Sequence, residues 1–79
     1  MTQITIYTLS LCPLCDQVKS YLKLKNKQFN EMSMLSAEGM TELKVNQVFT
    51  INAPVLQIGT HFYYDKSFEE FVTEIERDV

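Results

Sequence analysis

Tryptophan is absent from this 79-residue chain, histidine occurs once, and cysteine, proline and glycine occur twice each. The single histidine and two cysteines leave a four-ligand zinc site within one chain short of its usual sulfur and nitrogen donors. No apolar run approaches the ~20 residues that a membrane-spanning helix needs. Positive charge is not in excess either: seven basic residues face ten acidic ones, a net charge of −3, which argues against a basic nucleic-acid surface. The opening residues Met1-Thr2-Gln3-Ile4 lack the basic start and long apolar stretch of a secretion signal, so the cytoplasm is the expected compartment. Repeats, low-complexity tracts and linkers are missing as well. What remains is an ordinary globular balance, 46% hydrophobic and 22% charged, and one domain over residues 1–79 is expected.

Against that background the two cysteines stand out, two residues apart in the run Leu11-Cys12-Pro13-Leu14-Cys15. A permanent structural disulfide is out of place in a reducing compartment, which leaves metal binding or transient redox use. The alternation Ile4, Ile6 against Thr5, Tyr7 predicts a strand over residues 3–8. After the pair, Leu14, Val18, Tyr21 and Leu22 repeat at the spacing of one helix face, with Asp16, Lys19, Ser20 and Lys23 on the other, and this helix should end near Asn26. Proline suits the first helical position because its φ is already helical and its missing N–H is not needed there. Cys12 then falls at the N-cap, where free backbone N–H groups and the helix dipole favour the thiolate, the reactive form. Cys15, one turn on, is placed to attack a mixed disulfide formed at Cys12.

Further along, residues 28–33 suit a second strand. Ser36 marks the entry of a short helix with Met40, Leu43 and Gln47 facing inward. Val55-Leu56-Gln57-Ile58 reads as a third strand, Gly59-Thr60 as a two-residue connection, and residues 61–64 as a fourth strand. Ser67 caps a last helix in which Phe68, Phe71, Val72 and Ile75 follow helical spacing. The order β-α-β-α-β-β-α implies an α/β fold, a four-stranded mixed sheet with helices on both faces. A right-handed crossover puts the cysteine turn at the C-terminal end of a strand, where such folds commonly carry function.

The strand–Cys12-Pro13-Leu14-Cys15–helix unit, with Ala53-Pro54 opening the third strand, resembles the thioredoxin superfamily, and the short length looks like a glutaredoxin or a small glutaredoxin-like redoxin. The resemblance implies the thioredoxin-like fold and dithiol–disulfide exchange, with Cys12 as nucleophile and Cys15 as resolving thiol. It also implies a cis Pro54 beside the pair, leaving the Ala53 backbone free to meet a bound peptide or glutathione. Pro13, Leu14, Ala53, Pro54, Tyr64 and Asp65 are the expected contacts to substrate or glutathione. No tightly bound cofactor or metal is implied. The electron donor would be glutathione or a thioredoxin-reductase-type protein, the client a disulfide-bearing protein such as ribonucleotide reductase, and the acting form a monomer. The chain departs from the family pattern in carrying Leu14 where dithiol glutaredoxins have tyrosine. It also has Tyr63-Tyr64-Asp65-Lys66-Ser67 where they have a glycine pair, so a Cβ occupies space that would admit glutathione to the backbone.

Other readings stay open on residues alone. A module with this fold could dock a partner through Leu9, Leu11, Leu14, Tyr63 and Tyr64 without catalysis. Lys19, Lys23, Lys25 and Lys27 are either a solvated face or a positive rim that supports the Cys12 thiolate. His61 reads as an exposed hairpin residue, and Phe29, Met32, Met34, Met40, Phe68 and Phe71 as core.

Overall fold

A computed structural model describes residues 3–77. Its elements run β1 (Ile4–Thr8), α1 (Pro13–Leu24), β2 (Asn30–Ser33), α2 (Ala37–Val45), β3 (Val55–Ile58), β4 (His61–Tyr63) and α3 (Phe68–Arg77). The four strands form one sheet in the order β2-β1-β3-β4, with β1 and β2 parallel and the other two pairings antiparallel. The β-α-β-α-β-β-α order and the mixed four-stranded sheet are those expected from the alternation of apolar and polar residues.

Side chains that alternate along a strand face opposite sides of the sheet, and the core divides accordingly. Ile4, Ile6, Leu56 and Ile58 pack with Val18 and Leu22 of α1 and with Phe71 and Ile75 of α3. Tyr7 and Val55 face the other way, against Met34, Leu43 of α2 and Val48. Helices therefore cover both faces, two on one and one on the other.

Each helix begins as its sequence dictates. Ser36 caps α2, its Oγ accepting the Gly39 N–H at 2.9 Å. Gly39 is glycine for want of room, because a Cβ there would run into the Ser33 carbonyl oxygen. Ser67 and Glu70 make a reciprocal capping box at the start of α3: the Ser67 N–H donates to Glu70 Oε1 at 2.8 Å and the Glu70 N–H donates to Ser67 Oγ at 3.2 Å. Hydrogen bonding from Ser67, its backbone N–H first, holds the Glu70 carboxyl below its ordinary range.

Two inward assignments in the second helix are corrected. Met40 is 42% exposed and Gln47 is exposed. The helix stops at Val45, Gln47 takes a left-handed φ of 61° after the cap, and the chain reverses so that Val48 enters the core where Gln47 was expected. Only Leu43 and Gly39 of this helix are buried, since one short helix covers its face of the sheet.

The register decides which loops are neighbours. Tyr7 pairs with Val55, Leu56 with Tyr63, and Thr8 with Ser33. The end of β1, the end of β2, the start of β3 and the end of β4 thus lie at one end of the sheet, and residues 9–12, 34–36, 50–54 and 64–67 meet there.

Candidate functional site

At that end of the sheet, β1 passes through a tight turn into α1. Cys12 occupies the N-cap with φ −116° and ψ 97°, Pro13 follows at the first helical position, and Cys12 Sγ accepts the main-chain N–H of Cys15 at 3.0 Å. A sulfur stands where a capping hydroxyl or carboxylate usually does, in line with the exposed amides of the first turn. Cys12 and Cys15 are joined in a disulfide, their Cα atoms 5.2 Å apart. Access to the two is unequal. Cys15 is 1% exposed, whereas Cys12 is half-buried next to an exposed Pro13, so an incoming reagent reaches Cys12 first.

The remaining expected residues gather on adjoining segments. Pro54 is buried after a cis bond from Ala53, and the pairing of Tyr7 with Val55 sets it alongside Thr8, at the root of the cysteine turn. Leu14 is half-buried against the α1 and α3 core, while Leu9, Ala53 and Tyr64 each pack against the core on the α2 side. Of the proposed apolar rim only Leu11 is free of the core. It is fully exposed and holds φ 55°, a left-handed conformation that costs a non-glycine residue about 1–2 kcal/mol. Asp65 also has a positive φ, 57°, and its Oδ1 accepts hydrogen bonds from Thr50 Oγ1 at 3.0 Å and Asn52 Nδ2 at 2.9 Å. Nothing in the sequence pattern marked Thr50 or Asn52, because their partner lies thirteen or more residues away and only the β3–β4 hairpin brings it back.

A second polar cluster underlies the turn. Thr8 is 7% exposed and donates from Oγ1 to Glu31 Oε2 at 3.0 Å, and Lys19 Nζ donates to the same oxygen at 3.0 Å. Lys19 also lies 3.8 Å from Asp16, the residue after Cys15. The Lys19 hydrogen bond is the chief reason the Glu31 carboxyl stays below its ordinary value, with Thr8 adding to it and partial burial opposing it. Lys19 is therefore a link between α1 and β2 and not simply part of a solvated face. The other lysines of the suggested positive rim cannot serve Cys12. Lys23 lies ten residues beyond Pro13, about 15 Å along the helix, and Lys25 sits over the Tyr21 ring at 5.8 Å from its centroid.

His61 is exposed on β4. Among the described residues no group of three histidine, cysteine or acidic side chains could hold a metal ion, and no helix is long and apolar enough to cross a membrane.

No family model and no curated protein matches the chain. Solved structures do. A variant of the thioredoxin-like protein BC3987 superposes with a TM-score of 0.78 at 22% identity, over 92% of this chain and 99% of that one. The chain has a thioredoxin fold. Two further structures with this fold are the NrdH-redoxin from Escherichia coli, described as a glutaredoxin-like protein with a thioredoxin-like activity profile, and glutaredoxin 1 from Francisella tularensis, solved with cacodylate. The first matches at TM-score 0.69 and 21% identity over 90% of this chain and 92% of its own. The second matches at 0.68 and 21% over 98% and 95%. Within this thioredoxin fold, the cysteine turn, the Pro54 entry and the turn after β4 share one end of the sheet.

Proposed function

We propose that the chain is a dithiol–disulfide oxidoreductase of glutaredoxin-like type, a single domain that reduces protein disulfides or glutathione mixed disulfides. The observation that carries this reading is Cys12 Sγ at the mouth of α1, accepting a backbone N–H and disulfide-bonded to a buried Cys15. In the reduced protein the same amides and the helix dipole favour the Cys12 thiolate.

The cycle follows from the difference in access. The Cys12 thiolate attacks one sulfur of a substrate disulfide, the substrate S–S bond breaks, and the departing thiolate takes a proton. Cys15 gives up its proton and attacks Cys12 Sγ, breaking the mixed disulfide and expelling the second substrate thiolate, which is protonated in turn. Two electrons and two protons have passed to the substrate, and the protein holds the Cys12–Cys15 disulfide. A dithiol or two thiols of a donor reverse the exchange. Pro13, Leu14 and Leu11 border the attacked sulfur, while Ala53 and Pro54 offer backbone to the substrate chain, with Tyr64 beside them. The donor is glutathione or a thioredoxin-reductase-type protein, with no tightly bound cofactor. The client is a disulfide-bearing protein, ribonucleotide reductase being one by resemblance, and the setting is the cytoplasm.

The test compares two assays and two variants. Turnover is measured on hydroxyethyl disulfide with glutathione and glutathione reductase, and on insulin with thioredoxin reductase, for the wild type, Cys12→Ser and Cys15→Ser. Cys12→Ser should be inactive in both assays, and Cys15→Ser should keep part of the glutathione-dependent activity. Equal loss from the two variants contradicts the division of roles, and silence of the wild type in both assays favours a non-catalytic binding module.

A further inference from the structure

Asp65 stands on the turn after β4, yet its side chain reaches the segment that precedes β3. Its Oδ1 accepts from Thr50 Oγ1 and Asn52 Nδ2, and Thr50 Oγ1 accepts the Asn52 N–H at 3.1 Å. Both bonds fall on one oxygen of the carboxylate, and they tie the turn after β4 to the run before β3. Both donors belong to the run that leads into Ala53 and Pro54. Thr50 and Asn52 turn toward Asp65, while Phe49 and Ile51, interleaved with them, are 76% and 89% exposed. Phe49 and Ile51 both precede the buried Pro54, which lies at the end of the sheet where the fully exposed Leu11 leads into Cys12.

We propose that Asp65 is a positioning residue of the redox site. Its carboxylate straps residues 50–53 so that Ile51, Phe49 and the Ala53 backbone are held out toward a protein client near Cys12, and it does not receive the ammonium group of glutathione. This rests on the oxidoreductase reading above. The two roles differ in what they need from the side chain. The contact to glutathione that the resemblance implies for Asp65 would be to an ammonium and needs negative charge, whereas a strap needs only a hydrogen-bond acceptor in the right place.

That difference makes Asp65→Asn the deciding variant, since its amide oxygen can still accept from Thr50 and Asn52. Three further proteins accompany it: Asp65→Ala, the pair Thr50→Val with Asn52→Ala, and all three changes together. KM and kcat are measured for insulin with dithiothreitol as reductant, and for hydroxyethyl disulfide with glutathione. Amide hydrogen exchange at residues 50–53 and the pH dependence of Cys12 alkylation are followed in parallel.

Asp65→Ala and the Thr50/Asn52 pair each remove both exposed hydrogen bonds to Oδ1 and should each raise the insulin KM by about three- to tenfold, the scale of one ordinary hydrogen bond. Their kcat and Cys12 alkylation profile should be unchanged, and exchange at residues 50–53 should be faster. The triple variant should be no worse than the Thr50/Asn52 pair, because that pair already removes both hydrogen bonds that Asp65→Ala removes, and Asp65→Asn should stay within about twofold of wild type. The strap is overturned if exchange and insulin KM do not change in Asp65→Ala, or if Asp65→Asn matches Asp65→Ala and the loss is confined to the glutathione assay. Exchange reports on the strap without turnover: faster exchange in a protein whose wild type reduces nothing leaves the hydrogen bonds intact as a finding. Silence of the wild type with both substrates rejects the oxidoreductase reading and, with it, the role assigned to Asp65.

Discussion

Replacing Glu31 by alanine separates the two things its carboxylate does. Glu31 is 45% exposed at the side chain and pairs with Lys19, which is 23% exposed, and a partly exposed pair of this kind contributes about 0.2–1 kcal/mol. The same oxygen is the partner of the Thr8 hydroxyl, which is buried beneath the cysteine turn. Removing it leaves that hydroxyl unmatched, at about 1–2 kcal/mol. The total, about 1–3 kcal/mol, corresponds to a fall in Tm of about 4–24 °C for a domain of this size. Urea unfolding of the oxidised protein measures it. In a Thr8→Val background, where no hydroxyl needs a partner, Glu31→Ala should cost less than about 1 kcal/mol, the share of the ion pair. An equal penalty in both backgrounds refutes the coupling. Acid supplies a second check. The folded Glu31 carboxyl lies below its ordinary value of 4.5, so its stabilisation is complete above that pH and is lost as pH falls through the lowered folded value. The stability gap between wild type and Glu31→Gln should accordingly be full at neutrality and close in acid, and a gap that widens in acid refutes the assignment.

Alkylation of the reduced protein by iodoacetamide should show a Cys12 midpoint below the free-cysteine value of about 8.5 and a much slower Cys15, and a midpoint at or above that value removes the basis for Cys12 as nucleophile. Gly39→Ala should destabilise by about 1–3 kcal/mol in thermal or urea unfolding, because the added methyl meets the Ser33 carbonyl and the first turn of α2 must move. Leu11→Asn should raise stability by up to about 1 kcal/mol, since asparagine tolerates the left-handed φ better than leucine. If Leu11 meets clients, the same variant should raise the insulin KM, whereas gain in stability with unchanged KM would make the exposed leucine incidental to docking.

Much of this was legible without coordinates because local rules and the final packing agree. The strand through Ile6 and Tyr7, proline at the head of α1, the Ser36 and Ser67 caps and the Gly59-Thr60 connection each rest on neighbours within a few residues, and each appears where its residues put it. Where a position depended on the sheet as a whole, the local pattern misled. Met40 keeps helical spacing but lies off the face of α2 that Gly39 and Leu43 bury, and Gln47 falls beyond the end of α2, where Val48 takes the inner place. Lys19 reads as a solvent-side residue, yet β2 delivers Glu31 to it.

The chain by itself determined its reactive unit: two cysteines one helical turn apart behind a proline, whose placement follows from backbone geometry at a helix start. Tertiary structure alone decided what surrounds that unit. Antiparallel pairing of β3 with β1 and β4 carried Pro54, Thr50, Asn52 and Asp65 to the end of the sheet where β1 releases Cys12, and parallel pairing of β2 slid Glu31 beneath it. Those contacts span thirteen to forty or more residues of chain. They exist only because burial of the two faces leaves one register for the sheet, and a one-residue slip would turn every inward side chain outward.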